Sequence, residues 1–187
     1  SKSTTGKGYL FSRGESVSTG LPVECIGKVP HIESIFNVLP KDTVLVGEIY
    51  YPNETTNAVR TIMGCGDAKA IERQKEKGNI HFYLHDILKY DGEELISLGA
   101  WDRYQKLIKV AQEFNLLEDE SIEIAEVITE NIYEFLIDNL AKGEEGSVLK
   151  KKDVGYAEGK RPAWSMIKWK KQDTVDVICI GLEDATK

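Results

Sequence analysis

Short apolar runs and helically spaced apolar positions divide the chain into strands and helices. Residues 9–13, Tyr-Leu-Phe-Ser-Arg, read as the second strand of a hairpin turning through Ser3–Gly8, with Ser1 and Lys2 too short a remnant of the first strand to pair. Pro30 opens a short amphipathic helix over 31–39. Residues 42–50 are β-branched and apolar and predict a buried strand. Glu48 is the anomaly there, because a carboxylate in an apolar strand is costly unless a salt bridge or a ligand meets it. Helices follow at 58–63 and 67–77, the second capped by Asp67 and ended by Gly78. A strand over 79–88 carries His85 and Asp86 at its centre and closes in the turn Tyr90-Asp91-Gly92.

Trp101, Tyr104, Leu107, Ile108, Ala111 and Phe114 fall at helical spacing, so 100–114 is a helix with one face on a sheet. A strand at 121–128, a helix over 130–142 stopped by Gly143, strands at 144–152 and 164–171, and a last strand at 174–181 complete the pattern. Strands and helices mix without regular alternation. This predicts an α+β fold with two mainly antiparallel sheets and flanking helices, not a doubly wound parallel sheet.

Composition narrows the picture further. A chain of 187 residues, 41% apolar, buries one substantial core. No apolar run approaches the roughly 20 residues that span a bilayer, and no signal pattern opens the chain, so a soluble, intracellular protein without a membrane partner is expected. Cys25, Cys65 and Cys179 lack paired metal-ligand spacing. His81 and His85 share a strand face but lack a third ligand, which sets zinc aside.

Charge is uneven. Net charge is −7, yet residues 150–171 hold eight Lys or Arg against Asp153 and Glu158. This basic segment begins in Glu144-Glu145-Gly146-Ser147-Val148-Leu149-Lys150 and ends in Trp164-Ser165-Met166-Ile167-Lys168-Trp169-Lys170-Lys171. Alternation places Lys168 and Lys170 on one strand face, and Gly146 permits close backbone approach. Two ammonium groups beside a carboxylate suit a phosphate-bearing ligand with a divalent metal. A solvated basic hairpin is the plainer alternative.

In chain order, Phe11-Ser12-Arg13-Gly14, Val46-Gly47-Glu48-Ile49-Tyr50, Phe82-Tyr83-Leu84-His85-Asp86-Ile87-Leu88, Glu145-Gly146-Ser147-Val148-Leu149-Lys150 and Lys168-Trp169-Lys170 resemble motifs Ia, III, IIIa, IV and V of the nucleotidyltransferase (ATP-grasp-like) adenylation core of ATP-dependent DNA ligases. The resemblance covers nearly all of residues 9–171. It implies an enzyme that adenylates a lysine with ATP and passes AMP to a 5′-phosphate at a nick, in DNA repair and replication. By the same resemblance, Glu145 holds the catalytic Mg2+ or Mn2+, Glu48 bonds the ribose hydroxyls, and Lys168 and Lys170 contact the α-phosphate. His85 stands where an aromatic ring stacks on adenine, Val148 packs the other face of the base, and Arg13 lies near the DNA end or the nucleotide. Nicked duplex DNA and ATP or AMP are the implied partners, for a monomer in the cytoplasm, or in the nucleoid or nucleus.

Two departures accompany the resemblance. Val46 stands where the family has Asp, removing a polar neighbour of Glu48. The family's Lys-x-Asp-Gly-x-Arg, which carries the nucleophilic lysine, has no match in the chain: Lys2 precedes Ser3-Thr4-Thr5 and Lys7 precedes Gly8-Tyr9-Leu10. Residues 1–173 are thus expected to be an adenylation domain without its first motif, not competent alone, and 174–187 a linker or first strand of an OB-fold domain. An RNA ligase, an mRNA-capping guanylyltransferase and a non-catalytic degenerate nucleotide-binding module are the alternatives.

Overall fold

The computed structural model describes residues 1–52, 54, 56–159 and 164–170, with every side chain among them except those of Arg13 and Thr56. The expected strand at 174–181 lies outside the described residues. The chain divides into two compact units, Ser1–Val127 with Lys150–Ser165, and Ile128–Leu149 with Met166–Lys187.

The first unit is organised around one long strand, β4 (His81–Tyr90). Antiparallel β3 (Val44–Tyr50) flanks it on one side, and short β5 (Glu93–Glu94) and β6 (Ile122–Ile124) on the other. β5 returns through the expected turn, where Asp91 and Gly92 both take positive φ, the geometry that suits a two-residue hairpin. β6 runs parallel to β4, so the sheet is mixed but mainly antiparallel. Around it lie α1 (Ser34–Val38), α2 (Thr56–Met63), α3 (Asp67–Lys77) and α4 (Ala100–Glu113). The α+β expectation is borne out. Ile32, Phe36, Leu84, Ile87, Leu107 and Val110 centre the core, each almost wholly removed from water; a fully buried side chain of this size contributes about 1.5–3 kcal/mol.

Several local readings change. β1 (Phe11–Glu15) begins two residues later than expected, and it pairs with β2 (Pro22–Glu24), a strand too short to leave an alternating pattern. Lys2 does pair: it bridges both Gly8 and Thr43, because two backbone hydrogen bonds to Thr43, at 2.8 and 3.1 Å, dock the terminal segment beside the start of β3. Asp67 is the first residue of α3 and not its cap; Gly66 occupies the cap position with no side chain to offer. Gly78 ends the helix at φ 100 as expected.

Glu48 is a larger correction. β3 is an edge strand, and Glu48 faces solvent there with no ion pair among the described residues. The buried acid is Asp86, 3% exposed, on β4. Two irregularities break the β3–β4 register: Val46 pairs with Asp86 while Gly47 pairs with Leu84, and Val44 pairs with Lys89 while Leu45 pairs with Ile87. His85 and Asp86 therefore stand together opposite the single Val46, a β-bulge. A Cβ on Gly47 would lie 2.5 Å from the Tyr83 carbonyl oxygen and 2.6 Å from the Phe82 ring, so glycine is required where the strands close on this bulge.

Asp86, buried in alternation with Phe82 and Leu84, meets α4. Arg103 Nε donates to Asp86 Oδ1 at 2.8 Å and Nη2 to Oδ2 at 3.0 Å, a bidentate pair in which both side chains are under 5% exposed. Arg103 Nη1 also donates to the Leu98 carbonyl at the foot of the same helix. Each buried charge is matched, and strand and helix are tied at one point.

In the second unit, α5 (Ile132–Ala141) ends at Gly143, φ 86. Asn139 Nδ2 donates to Ser147 Oγ at 3.1 Å, linking this helix to β7 (Gly146–Lys150). β7 pairs with β8 (Met166–Lys170). Gly146, at φ 147, brings its α-carbon against the facing strand: a Cβ there would lie 2.1 Å from the Trp169 carbonyl oxygen. The close approach expected of this glycine is present.

Removing one partner of the buried pair leaves the other charged and unmatched. Arg103→Met is expected to cost about 3–5 kcal/mol in urea unfolding, whereas Asp86→Leu combined with Arg103→Met costs clearly less. Equal losses in the single and double variants would contradict the pairing.

Candidate functional site

Both units carry residues that the sequence marks as functional. On the first, Glu48 lies opposite Tyr83 in the β3–β4 register, two residues before the bulged His85. The exposed carboxylate is free to accept hydrogen bonds from a ligand. His85 is half-buried, and its Nδ1 is wholly removed from solvent with no hydrogen-bond partner among the described residues. Burial pushes the His85 imidazole below the ordinary histidine range and the Lys150 ammonium adds to this, while Asp86 acts the other way.

Arg13 belongs to β1, and its side chain lies outside the described residues. Lys2 Nζ donates to the Leu39 carbonyl at 2.7 Å, and Lys7 Nζ sits 4.9 Å above the Tyr9 ring. Both lysines at the start of the chain thus have partners inside the first unit.

On the second unit, Glu145 immediately precedes β7, and its Oε1 pairs with Lys170 Nζ across the Gly146 contact. The Lys170 hydrogen bond holds the Glu145 carboxyl below its usual range; Lys170's charge and, more weakly, Lys168 act in the same direction against a small burial effect. Glu145, Lys168 and Lys170 therefore form one electrostatic group, as the strand alternation predicts. Val148 lies on the same hairpin, half exposed.

Among the described residues, no three His, Cys, Asp or Glu side chains gather into a metal cage. The donor set does fit magnesium, which is held by one or two carboxylates with water and substrate phosphates completing its shell. Glu145, ionised and largely exposed, is such a carboxylate. His81 is engaged elsewhere: its Nδ1 lies 2.8 Å from Glu123 Oε1, which also accepts the Tyr50 hydroxyl. Burial raises the Glu123 carboxyl, but these two hydrogen bonds and the His81 charge outweigh it and leave it lowered.

The sequence reading missed Arg103, Lys150 and a cluster of Tyr50, His81 and Glu123. Arg103 lies in the expected helix but outside its apolar stripe, although Asp86 in an apolar strand already required a partner. Lys150 was read as part of a basic run and as the end of the Glu145–Lys150 motif, with no partner named; its Nζ lies 3.6 Å from Asp86 Oδ2. The Tyr50, His81 and Glu123 cluster depends on β6 lying parallel to β4, a pairing with no local sequence signal.

Among the described residues, no helix is long and apolar enough to cross a membrane. The family model described as ATP dependent DNA ligase domain matches residues 2–170. DNA ligase 2 of Methanosarcina mazei is 31% identical over 182 residues, covering 93% of this chain and 31% of that protein. The DNA ligase of Nitrosopumilus maritimus is 30% identical over 185 residues, covering 94% of this chain and 30% of that one. The chain thus spans about a third of the length of these curated relatives. Among solved structures, mycobacterial DNA ligase D complexed with ATP and MES superposes with a TM-score of 0.62 at 21% identity, over 88% of this chain and 48% of that one. That likeness gives the fold, and the family match extends over almost every motif described above. The chain belongs to the ATP-dependent DNA ligase domain family.

Proposed function

We propose that this chain supplies the nucleotide-binding part of an ATP-dependent DNA ligase that adenylates a lysine and transfers AMP to the 5′-phosphate of nicked duplex DNA. The observation that carries the proposal is the Glu145, Lys168 and Lys170 group on the Gly146 hairpin, in a chain of this family. Residues 1–173 act as the adenylation domain, and 174–187 lead into a linker or an OB-fold strand.

The reaction asks for positioning and charge neutralisation more than covalent chemistry. Glu48 accepts hydrogen bonds from the ribose hydroxyls. The His85 ring stacks on adenine. Lys168 and Lys170 neutralise the α-phosphate as negative charge grows during in-line displacement, when a lysine nitrogen forms its bond to phosphorus and pyrophosphate leaves. Arg13 contacts the nucleotide or the DNA end. Glu145, kept ionised, holds Mg2+ or Mn2+, which supplies further neutralisation of phosphate charge when bound.

The nucleophilic lysine is not one of the two that open the chain. Neither lies in a Lys-x-Asp-Gly-x-Arg sequence, and the partners of Lys2 and Lys7 support this reading. The family match favours a DNA ligase over the RNA ligase and capping guanylyltransferase alternatives.

Incubation with α-labelled ATP and magnesium tests the assignment. The 187-residue chain is expected to take no covalent label, and a protein extended upstream to include Lys-x-Asp-Gly to take it. Glu145→Ala and Lys168→Ala should each lower labelling of the extended protein by about 100-fold or more; label that survives both substitutions overturns the site.

A second prediction concerns pH. The folded-state acidity of Glu145 is increased, so its contribution to stability is present above the unfolded carboxylate range and is lost as pH falls through the folded value. Lys170→Met should move the Glu145 titration upward in carboxyl NMR. Because the pair is exposed, unfolding free energy should change by no more than about 1 kcal/mol.

A further inference from the structure

Between the turn at 3–8 and β1, alternate residues face opposite ways. Gly8 packs so closely on Phe36 that a Cβ there would lie 2.6 Å from the ring, and Leu10 is buried in the core. Lys7, Tyr9 and Phe11 therefore form an outward row. The Tyr9 and Phe11 rings stack, with centroids 5.7 Å apart and planes within 8° of parallel, and Lys7 Nζ lies 4.9 Å from the Tyr9 centroid. Phe11 is 49% exposed. Two rings held parallel at the surface form a platform that one more flat ring can extend.

Positive charge gathers beside this row. Residues 1–13 hold Lys2, Lys7 and Arg13 and no acid. The fold adds Lys41: a Cβ on Gly6 would lie 3.5 Å from Lys41 Cε and 3.9 Å from Lys2 Cε. Lys2 Nζ is engaged by the Leu39 carbonyl, whereas Lys7 and Lys41 are exposed and join no ion pair among the described residues. The neighbouring acids have other partners. Asp42 Oδ2 lies 2.9 Å from Lys89 Nζ, and Glu24, opposite Phe11 in the strand register, accepts the Ile26 N–H at 3.0 Å. The Ser3 and Thr5 hydroxyls, 2.8 Å apart, add neutral donors on the same turn. Cations and hydroxyls beside stacked rings match a polynucleotide strand, with phosphates against the first and a base against the second. An acidic peptide would use the lysines and leave the rings unmatched.

We propose that this row is a binding site for an unpaired DNA strand: Phe11 stacks on a base, and Lys7 and Lys41 meet the flanking phosphates. None of these residues is assigned to the nucleotide, so the site goes beyond the ligation reading and does not rest on it. A base inside a duplex has both faces covered by its neighbours, so the Phe11 contact is made only by unpaired nucleotides. Stacking of this kind is indifferent to sequence, because every base has a flat face.

The test is fluorescence anisotropy of a labelled oligothymidylate of about 12 nucleotides with the 187-residue chain, without ATP or metal. Phe11→Ala is expected to weaken binding about tenfold. Phe11→Trp should retain it, with the added indole emission quenched by the bound base. Lys7→Gln and Lys41→Gln should each reduce the slope of log affinity against log salt by about 0.7. Affinity for a long duplex should be the same in Phe11→Ala as in the wild type. Circular dichroism of the variants, expected to superimpose on the wild type, separates lost contact from lost fold. Oligomer binding that Phe11→Ala leaves unchanged, an equal loss on the duplex, or no oligomer binding at all overturns the site. Lysine labelling by α-labelled ATP depends on other residues, so its failure and the failure of this site are told apart.

Discussion

A buried carboxylate on the central strand is the constraint on which the first unit depends. Asp86 enters the core with its charge, and the only economical answer is a geometrically matched cation, which Arg103 provides through two parallel hydrogen bonds. That requirement fixes the rotation of α4 against β4. Alternation along β4 keeps Asp86 on the buried face with Phe82 and Leu84. The bulge falls at His85 and Asp86, and Gly47 leaves room for the strands to meet there. Structural support and candidate chemistry are thus adjacent residues of one strand.

The second unit meets a comparable demand by simpler means. A glycine at positive φ lets two strands approach until Glu145 and Lys170 pair, and this proximity keeps the carboxylate ionised. Exposure limits what the pair adds to stability. The same exposure leaves the group open to phosphate and metal, which buried ion pairs are not. Asp86 and Arg103 hold the fold, while Glu145, Lys168 and Lys170 have the accessibility expected of a binding group.

Much of this was legible in the residues. Periodicity placed β3, β4, α3, α4 and α5 to within a few positions, because these elements carry long apolar patterns with glycine stops at Gly78 and Gly143. β2, three residues long, carries too little pattern to show, and β6 occupies only the first part of the strand expected at 121–128. The pairing of Lys2 with Thr43 spans a long separation in sequence and depends on the docked fold. Glu48 was expected to be buried because the strand around it is apolar. Which strand forms the sheet's edge is a tertiary fact that apolarity does not encode. Motif order identified the family, whereas the roles of Arg103 and Lys150 needed coordinates, since their significance lies in distances to Asp86.

The central claim is that Glu145, Lys168 and Lys170 act as one group that takes phosphate and its metal. Chemical-shift mapping of the isotope-labelled chain on addition of AMP and magnesium tests it directly. The account predicts changes at those three residues that saturate with one binding constant. Three unmoved residues, with changes centred on the α2–α3 surface, would contradict it.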